Sequence, residues 1–199
     1  MIAVIDYKAG NLTSVMKALT ALGVAAQITD DPSVVRAAEC VVLPGVGHFA
    51  ATARLRDTGI EDAVREVIAR GVPFLGICVG LQWLFEGSTE SEATAGLGAM
   101  RGCCTRFPET HKVPHVGWNT LEAARESRLL AGLPAQPFMY YTHSYRAPVF
   151  EETVGVTDYA GPFSGAVERG NLFGVQFHPE KSGDAGLQVL RNFLAVPRC

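Results

Sequence analysis

The sequence has no apolar run approaching the roughly 20 residues that a membrane helix needs. It also lacks a basic excess: 17 Lys and Arg stand against 20 Asp and Glu, for a net charge of −3. Nucleic acid and anionic membrane are therefore poor candidates as partners. Cysteines are few, at positions 40, 78, 103, 104 and 199, odd in number and without framework spacing. That excludes a disulfide scaffold and implies reduced thiols in a cytoplasmic setting. There are no repeats, no low-complexity tracts and no linker. The opening residues MIAVIDYKAGN have no basic start and no cleavage-like site, so they read as a first strand and not as a signal peptide.

What is there suits one domain spanning 1–199: 48% of the residues are hydrophobic and 19% charged. Up to about residue 86, short apolar runs alternate with helical periodicity. IAVI (2–5), VAAQI (24–28), CVVL (40–43) and PFLGI (73–77) read as strands. Leu12, Val15, Leu19 and Leu22 recur at helical spacing until Gly23, and Asp31-Pro32 opens a short helix. Further helices are expected at roughly 60–70 and from Val79 to Glu86. Continuous β-branched runs between helices argue for parallel strands buried on both faces. After about residue 100, strands near 101–106, 116–121, 138–141, 153–157, 164–168 and 172–177 follow one another, and a helix over 184–195 closes the chain. The expected architecture is a three-layer α/β sandwich, with helices flanking a mixed, largely parallel central sheet and an antiparallel second half.

In such sheets, ligands collect outside the carboxyl ends of the strands. FLGICVGLQ (74–82) places Cys78 at one such end, between Gly76 and Gly80 and before a helix. The pattern suits a strand-turn-helix elbow that exposes a nucleophile, and a helix N-terminus favours the thiolate. Taken alone, Cys78 could equally be inert packing. FGVQFHPEKSG (173–183) supplies a base: Pro179 biases His178 toward an extended backbone, which would set Glu180 beside its ring at i+2. A surface His-Pro-Glu turn is the alternative. Pro44-Gly45-Val46-Gly47 ends CVVL, where its N–H groups and that of Val79 could face an oxyanion; otherwise it is only a turn.

These segments resemble the class I (triad) glutamine amidotransferases. Within that group they are most similar to the glutaminase subunits of imidazole glycerol phosphate synthase. GICVGLQ and HPE carry the wider resemblance. DYKAGN (6–11), PGVGHF (44–49), KVPHVGWN (112–119), THSYR (142–146) and HPEKSG (178–183) carry the narrower one. The resemblance implies that glutamine is hydrolysed to glutamate and ammonia through a thioester on Cys78, with His178 as base and Glu180 orienting it. It places Gly45, Gly47 and Val79 around the oxyanion, Gln82, His143, Ser144 and Tyr145 on the glutamine, and Glu90 near its α-amino group. It implies no cofactor. It also implies a partner, a separate (β/α)₈-barrel cyclase subunit that uses the ammonia to make imidazole glycerol phosphate and AICAR. Asn11, Pro114, Trp118 and Lys181 match positions facing that partner or gating the passage; taken alone, Trp118 could equally be a core aromatic and Lys181 a solvated surface charge.

Two departures stand out: Lys8 where glycine is more usual, and Thr142 where a β-branched apolar residue is common. Two other readings compete. One is another triad amidotransferase, such as the small subunit of anthranilate synthase or the pyridoxal phosphate synthase glutaminase, which are not expected to carry KVPHVGWN and HPEKSG together. The other is a binding subunit with a decayed site, which intact Cys78, His178 and Glu180 oppose. A metal on Cys103, Cys104, His111 and His115 is not expected, because adjacent strand residues face opposite ways. His48 and Cys199 receive no role.

Overall fold

A computed structural model of the chain describes residues 1–197; Cys199 lies outside them. The apolar runs become strands β1 (Ile2–Ile5), β3 (Cys40–Gly45), β4 (Phe74–Cys78) and β13 (Leu172–Val175), every residue of which is buried. With β2 (Ala26–Thr29), β8 (Glu122–Ala123), β11 (Thr153–Asp158) and β12 (Pro162–Arg169) they build one eight-stranded sheet in the order β2-β1-β3-β4-β13-β12-β11-β8. Pairing is parallel from β2 to β13 and antiparallel from β13 to β8. The expected mixed sheet is present, and its parallel half is the continuous apolar half of the sequence.

Helices α1 (Leu12–Ala21), α2 (Pro32–Ala37), α3 (Ala53–Asp57) and α4 (Ile60–Ala69) lie between the parallel strands, and α6 (Gly183–Leu194) closes the fold. Asn11 caps α1 by accepting from the Ser14 N–H, and Asp31 caps α2 by accepting from the Ser33 N–H. The Arg36–Glu66 ion pair ties α2 to α4. The turn after β1 explains the unusual Lys8. Its φ is +66°, a conformation that glycine adopts freely. Its N–H donates to Asp6, and its ammonium pairs with Asp6 and Asp30, which offsets the cost of a side chain there.

One expectation needs correction. The elbow helix α5 (Val79–Trp83) ends three residues short of Glu86. The loop at 96–100 takes its place: the N–H groups of Leu97, Met100, Gly98 and Gly96 donate to the carbonyls of Trp83, Leu84, Phe85 and Glu86. Strands of the second half divide between the central sheet and two small ones. Strand β6 (Cys103–Arg106) pairs with β5 (Gly87–Ser88) and β10 (Tyr145–Arg146), and β7 (His115–Thr120) pairs only with β9 (Phe138–His143). β6 and β7 bury one residue each, and β9 alternates buried positions with exposed or half-buried ones, which suits small surface sheets and not a central layer.

Candidate active site

Strands β3, β4 and β13 run side by side, with Gly45 opposite Cys78 and Ile77 opposite Val175. Their carboxyl ends therefore converge. Cys78 ends β4 at φ +55°, ψ −109°, a strained conformation for a residue with a side chain. It is held there by close packing of α5 on the sheet. A Cβ on Gly80 would lie 2.0 Å from the Leu43 carbonyl oxygen, and one on Gly76 would lie 2.4 Å from the Gly80 oxygen. Only glycine fits either place. Cys78 is 3% exposed. Its thiol points to the Thr142 carbonyl at 3.9 Å, and Gln176 Nε2 donates to the sulfur at 3.7 Å.

His178 follows β13, and its Nδ1 lies 2.8 Å from Glu180 Oε1. His178 has the expected extended backbone, but Pro179–Lys181 form a turn of 3₁₀ helix, so the pair meets across that turn and not along a strand. Ser182 locks the turn: its hydroxyl donates to the His178 carbonyl and accepts from the Tyr140 N–H, while the His178 N–H donates to the Tyr140 carbonyl. With Nδ1–H held by Glu180, Nε2 is the nitrogen that takes up and gives back the proton. It is buried and makes no hydrogen bond at rest, as does Glu180 Oε2. Burial lowers the basicity of His178, but the neighbouring Cys78 and Glu180 more than reverse that, raising its pKa to about 10. A base, its orienting carboxylate and a thiol thus share one dry site, the set that nucleophilic acyl transfer requires.

A cavity of about 160 Å³ opens on the thiol, lined by Val46, Gly47, Cys78, Val79, Gln82, Glu90, Thr142, His143, Ser144 and Tyr145. This is well below the ~300 Å³ at which drug-sized pockets begin, and of the order of one amino acid. Of the oxyanion residues expected, Gly47 and Val79 line it. Gly45 does not; a Cβ there would meet the Tyr7 hydroxyl at 2.6 Å and Val79 Cβ at 2.7 Å, so its task is close packing behind the nucleophile. Glu90 lines the cavity with one carboxylate oxygen bound to the Phe49 N–H at 2.7 Å, which ties it to the chain just after PGVG. His48 caps the 3₁₀ turn over Phe49–Thr52.

Several site features were invisible as sequence patterns. Tyr7 has a buried hydroxyl without a partner, and burial, then the charge of Cys78, push its pKa up. His143 is part of a directional chain. Its Nδ1 faces the Tyr145 carbonyl at 2.8 Å and must carry the hydrogen, so Nε2 accepts from His115 Nδ1 at 3.2 Å, and His115 Nε2 accepts from Asn119 at 3.4 Å. Ring stacking of His115 on Tyr141 and Tyr159 closes this cluster. Burial lowers the pKa of His115 to about 4 and that of His143 to about 3.

These imidazoles predict a pH dependence of stability. Unfolded histidines titrate near pH 6.5, so below that value the unfolded chain binds protons that folded His115 and His143 refuse. Stability is lost as pH falls, by at most about 1.4 kcal/mol per unit for each ring. His178 acts oppositely, because its raised pKa makes the folded state the better proton binder between about pH 6.5 and 10, and that contribution is lost as pH rises. Urea midpoints measured from pH 5 to 9 should peak near pH 6.5. Paired carboxylates lose their contribution only at lower pH, so a flat profile between pH 6.5 and 5 would contradict the neutral His115–His143 pair.

The four residues expected at a partner surface are at or near the surface. Asn11 begins α1, and Pro114 is exposed beside β7. Trp118 is 56% exposed, so it is no core aromatic, and it meets the Tyr140 ring edge-on. Lys181 extends over the same Tyr140 ring. Cys103 and Cys104 face opposite sides of β6, one exposed and one buried. Among the described residues no three His, Cys, Asp or Glu gather as metal ligands would.

Comparison with known proteins agrees with this geometry. The family model for glutamine amidotransferase class-I matches residues 3–196. The HisH subunit of imidazole glycerol phosphate synthase from Moorella thermoacetica is 51% identical over 195 residues, covering 96% of this chain and 93% of the relative. The HisH subunit from Methanothermobacter thermautotrophicus is 46% identical over 200 residues, covering both chains fully. Among solved structures, a glutamine amidotransferase superposes with a TM-score of 0.78 at 20% identity, covering 98% of this chain and 97% of the other. PurLQS from Thermotoga maritima gives 0.75 at 18% identity, covering 97% and 96%. The chain therefore belongs to the class-I glutamine amidotransferase family, alongside the HisH subunits of imidazole glycerol phosphate synthase.

Proposed function

We propose that this chain hydrolyses glutamine to glutamate and ammonia on Cys78 and delivers the ammonia to a separate cyclase subunit, which uses it to form imidazole glycerol phosphate and AICAR in histidine biosynthesis. The observation that carries this is His178: Glu180 holds one ring nitrogen, and the other, buried and without a hydrogen-bond partner, is the one left to exchange a proton with Cys78.

The thiolate attacks the glutamine carboxamide carbon, forming the C–S bond. The carbon–nitrogen bond then breaks, and His178 hands the thiol proton to the departing ammonia. Water next attacks the thioester with His178 as base, and the sulfur leaves with the electron pair. Gly47 and the Val79 N–H, at the start of α5, serve the oxyanion. Gln82, Glu90, His143, Ser144 and Tyr145 surround the bound glutamine. The amidotransferase domain occupies the whole chain and acts in the cytoplasm, without cofactor or metal.

The partner is a (β/α)₈-barrel cyclase, bound as a heterodimer. Its landing surface is the outer face of β7 and β9, where Val116, Trp118 and Phe138 are exposed, with Asn11, Pro114 and Lys181 around it. Large exposed apolar side chains grouped on one small sheet mark an interaction site.

The test is glutamine hydrolysis by the chain alone, with the cyclase subunit, and with the cyclase plus a nucleotide ligand. Activity should be feeble alone and rise by about a hundredfold in the liganded complex, within the range of strong allosteric coupling. Full activity without a partner would overturn the coupling.

A further inference from the structure

We propose that Gln176 is a catalytic residue: its side-chain amide donates a hydrogen bond to the Cys78 sulfur and stabilises it whenever it carries negative charge. Gln176 lies two residues before His178, just past β13, and is fully buried. It reaches the nucleophile from the neighbouring strand, with Nε2 3.7 Å from Sγ.

The direction of that amide is settled by its neighbours. The Tyr145 carbonyl can only accept, and Gln82 lies 2.9 Å from it, so the Gln82 amide must present its NH₂. One Gln82 hydrogen goes to Tyr145 and the other faces Gln176 at 3.2 Å. Gln176 must therefore present its oxygen to Gln82, because two NH₂ groups would otherwise confront each other. Its own NH₂ is left for the sulfur. His143 donates to the same Tyr145 carbonyl at 2.8 Å, which fixes the anchor from the other side. Gln82, 3% exposed, has its amide NH₂ spent inward on this relay. It thereby positions Gln176 in addition to lining the substrate cavity.

A hydrogen bond to an ionised acceptor is roughly twice as strong as one between neutral groups, and more so where water is excluded. The donor therefore matters least for the neutral thioester and most for the thiolate. In deacylation, water adds to the acyl carbon, its proton passes to His178, the C–S bond breaks and the electron pair returns to sulfur. Gln176 meets that returning charge. The same donor already faces the sulfur before the first attack.

The relay follows from the side-chain geometry, whereas its part in deacylation rests on the glutaminase function proposed above. The experiment separates the two. Alkylation of Cys78 by iodoacetamide is followed against pH by mass mapping of its peptide, in the wild type, Gln176→Met and Gln176→Glu. Methionine keeps the bulk and removes the donor; glutamate keeps the shape and sets a carboxylate against the sulfur. Half-maximal alkylation should move up by about one pH unit in Gln176→Met, a tenfold loss of thiolate below the midpoint, and further in Gln176→Glu. In the cyclase complex, kcat for glutamine should fall about tenfold in Gln176→Met with no rise in KM. Alkylation profiles of both variants that coincide with the wild type would overturn the proposal. A shifted profile in a protein that does not hydrolyse glutamine would support the relay and sink the reading of function instead. If Gln176→Met fails to fold, as judged by circular dichroism, the Gln176→Glu profile decides alone.

Discussion

Cys78→Ala abolishes glutamine hydrolysis, with an expected loss of about 10⁴-fold or more in kcat, since no other group in the site can form the covalent intermediate. The cavity offers no substitute: Ser144 lines it, but the base is built around Cys78, between β4 and β13. His178→Ala should cost less, about 10³-fold, because a thiol ionises partly unaided where a hydroxyl does not. The double variant should be no worse than Cys78→Ala by itself, since residues acting as a unit are not additive. Steady-state ammonia release in the cyclase complex measures all three. Appreciable hydrolysis by Cys78→Ala would remove the thioester from the mechanism, whatever the fold. A double variant markedly slower than Cys78→Ala would show that His178 acts on a separate step.

The parts of the site legible in sequence were those written within a few residues. CVVL and PFLGI are buried on both faces, so they read as central strands, and Cys78 sits where one of them must turn. His178 and Glu180 were recognisable because only Pro179 separates them; the backbone joining them is a 3₁₀ turn, yet the side chains still meet. What escaped depends on distant pairing. The early end of α5 follows from the loop at 96–100 reaching back to its last carbonyls. Gln176 gave one local signal, its place two residues before His178. Its role needs Gln82 from α5, 94 residues away in the chain, and through it the Tyr145 carbonyl. Trp118 was undecided because an aromatic on a strand says nothing about what covers its face. Membership of a two-stranded surface sheet decides it.

Gly80→Ala should break the elbow, at a large expected cost to the fold. An added Cβ would sit 2.0 Å from the Leu43 carbonyl oxygen and 3.1 Å from its carbon, both backbone atoms of a fully buried strand. No rotamer change can relieve that contact, so α5 must lift from β3 by more than an ångström. The lift would carry Cys78 and the Val79 N–H with it. Overpacking against backbone belongs to the severe class of substitutions, at about 3 kcal/mol or more. Gly87→Ala supplies the contrast. It makes the same chemical change at a buried glycine whose nearest new neighbours would be 3.7 and 3.9 Å away, in ordinary contact. Its cost should stay within about 1 kcal/mol. Urea unfolding of both variants, with glutamine turnover beside it, reads the difference directly. Equal stabilities would mean that helix and strand are not held at the spacing seen here. The strained backbone of Cys78 would then need another cause, because only the close approach at Gly76 and Gly80 accounts for a thiol set at the mouth of the sheet.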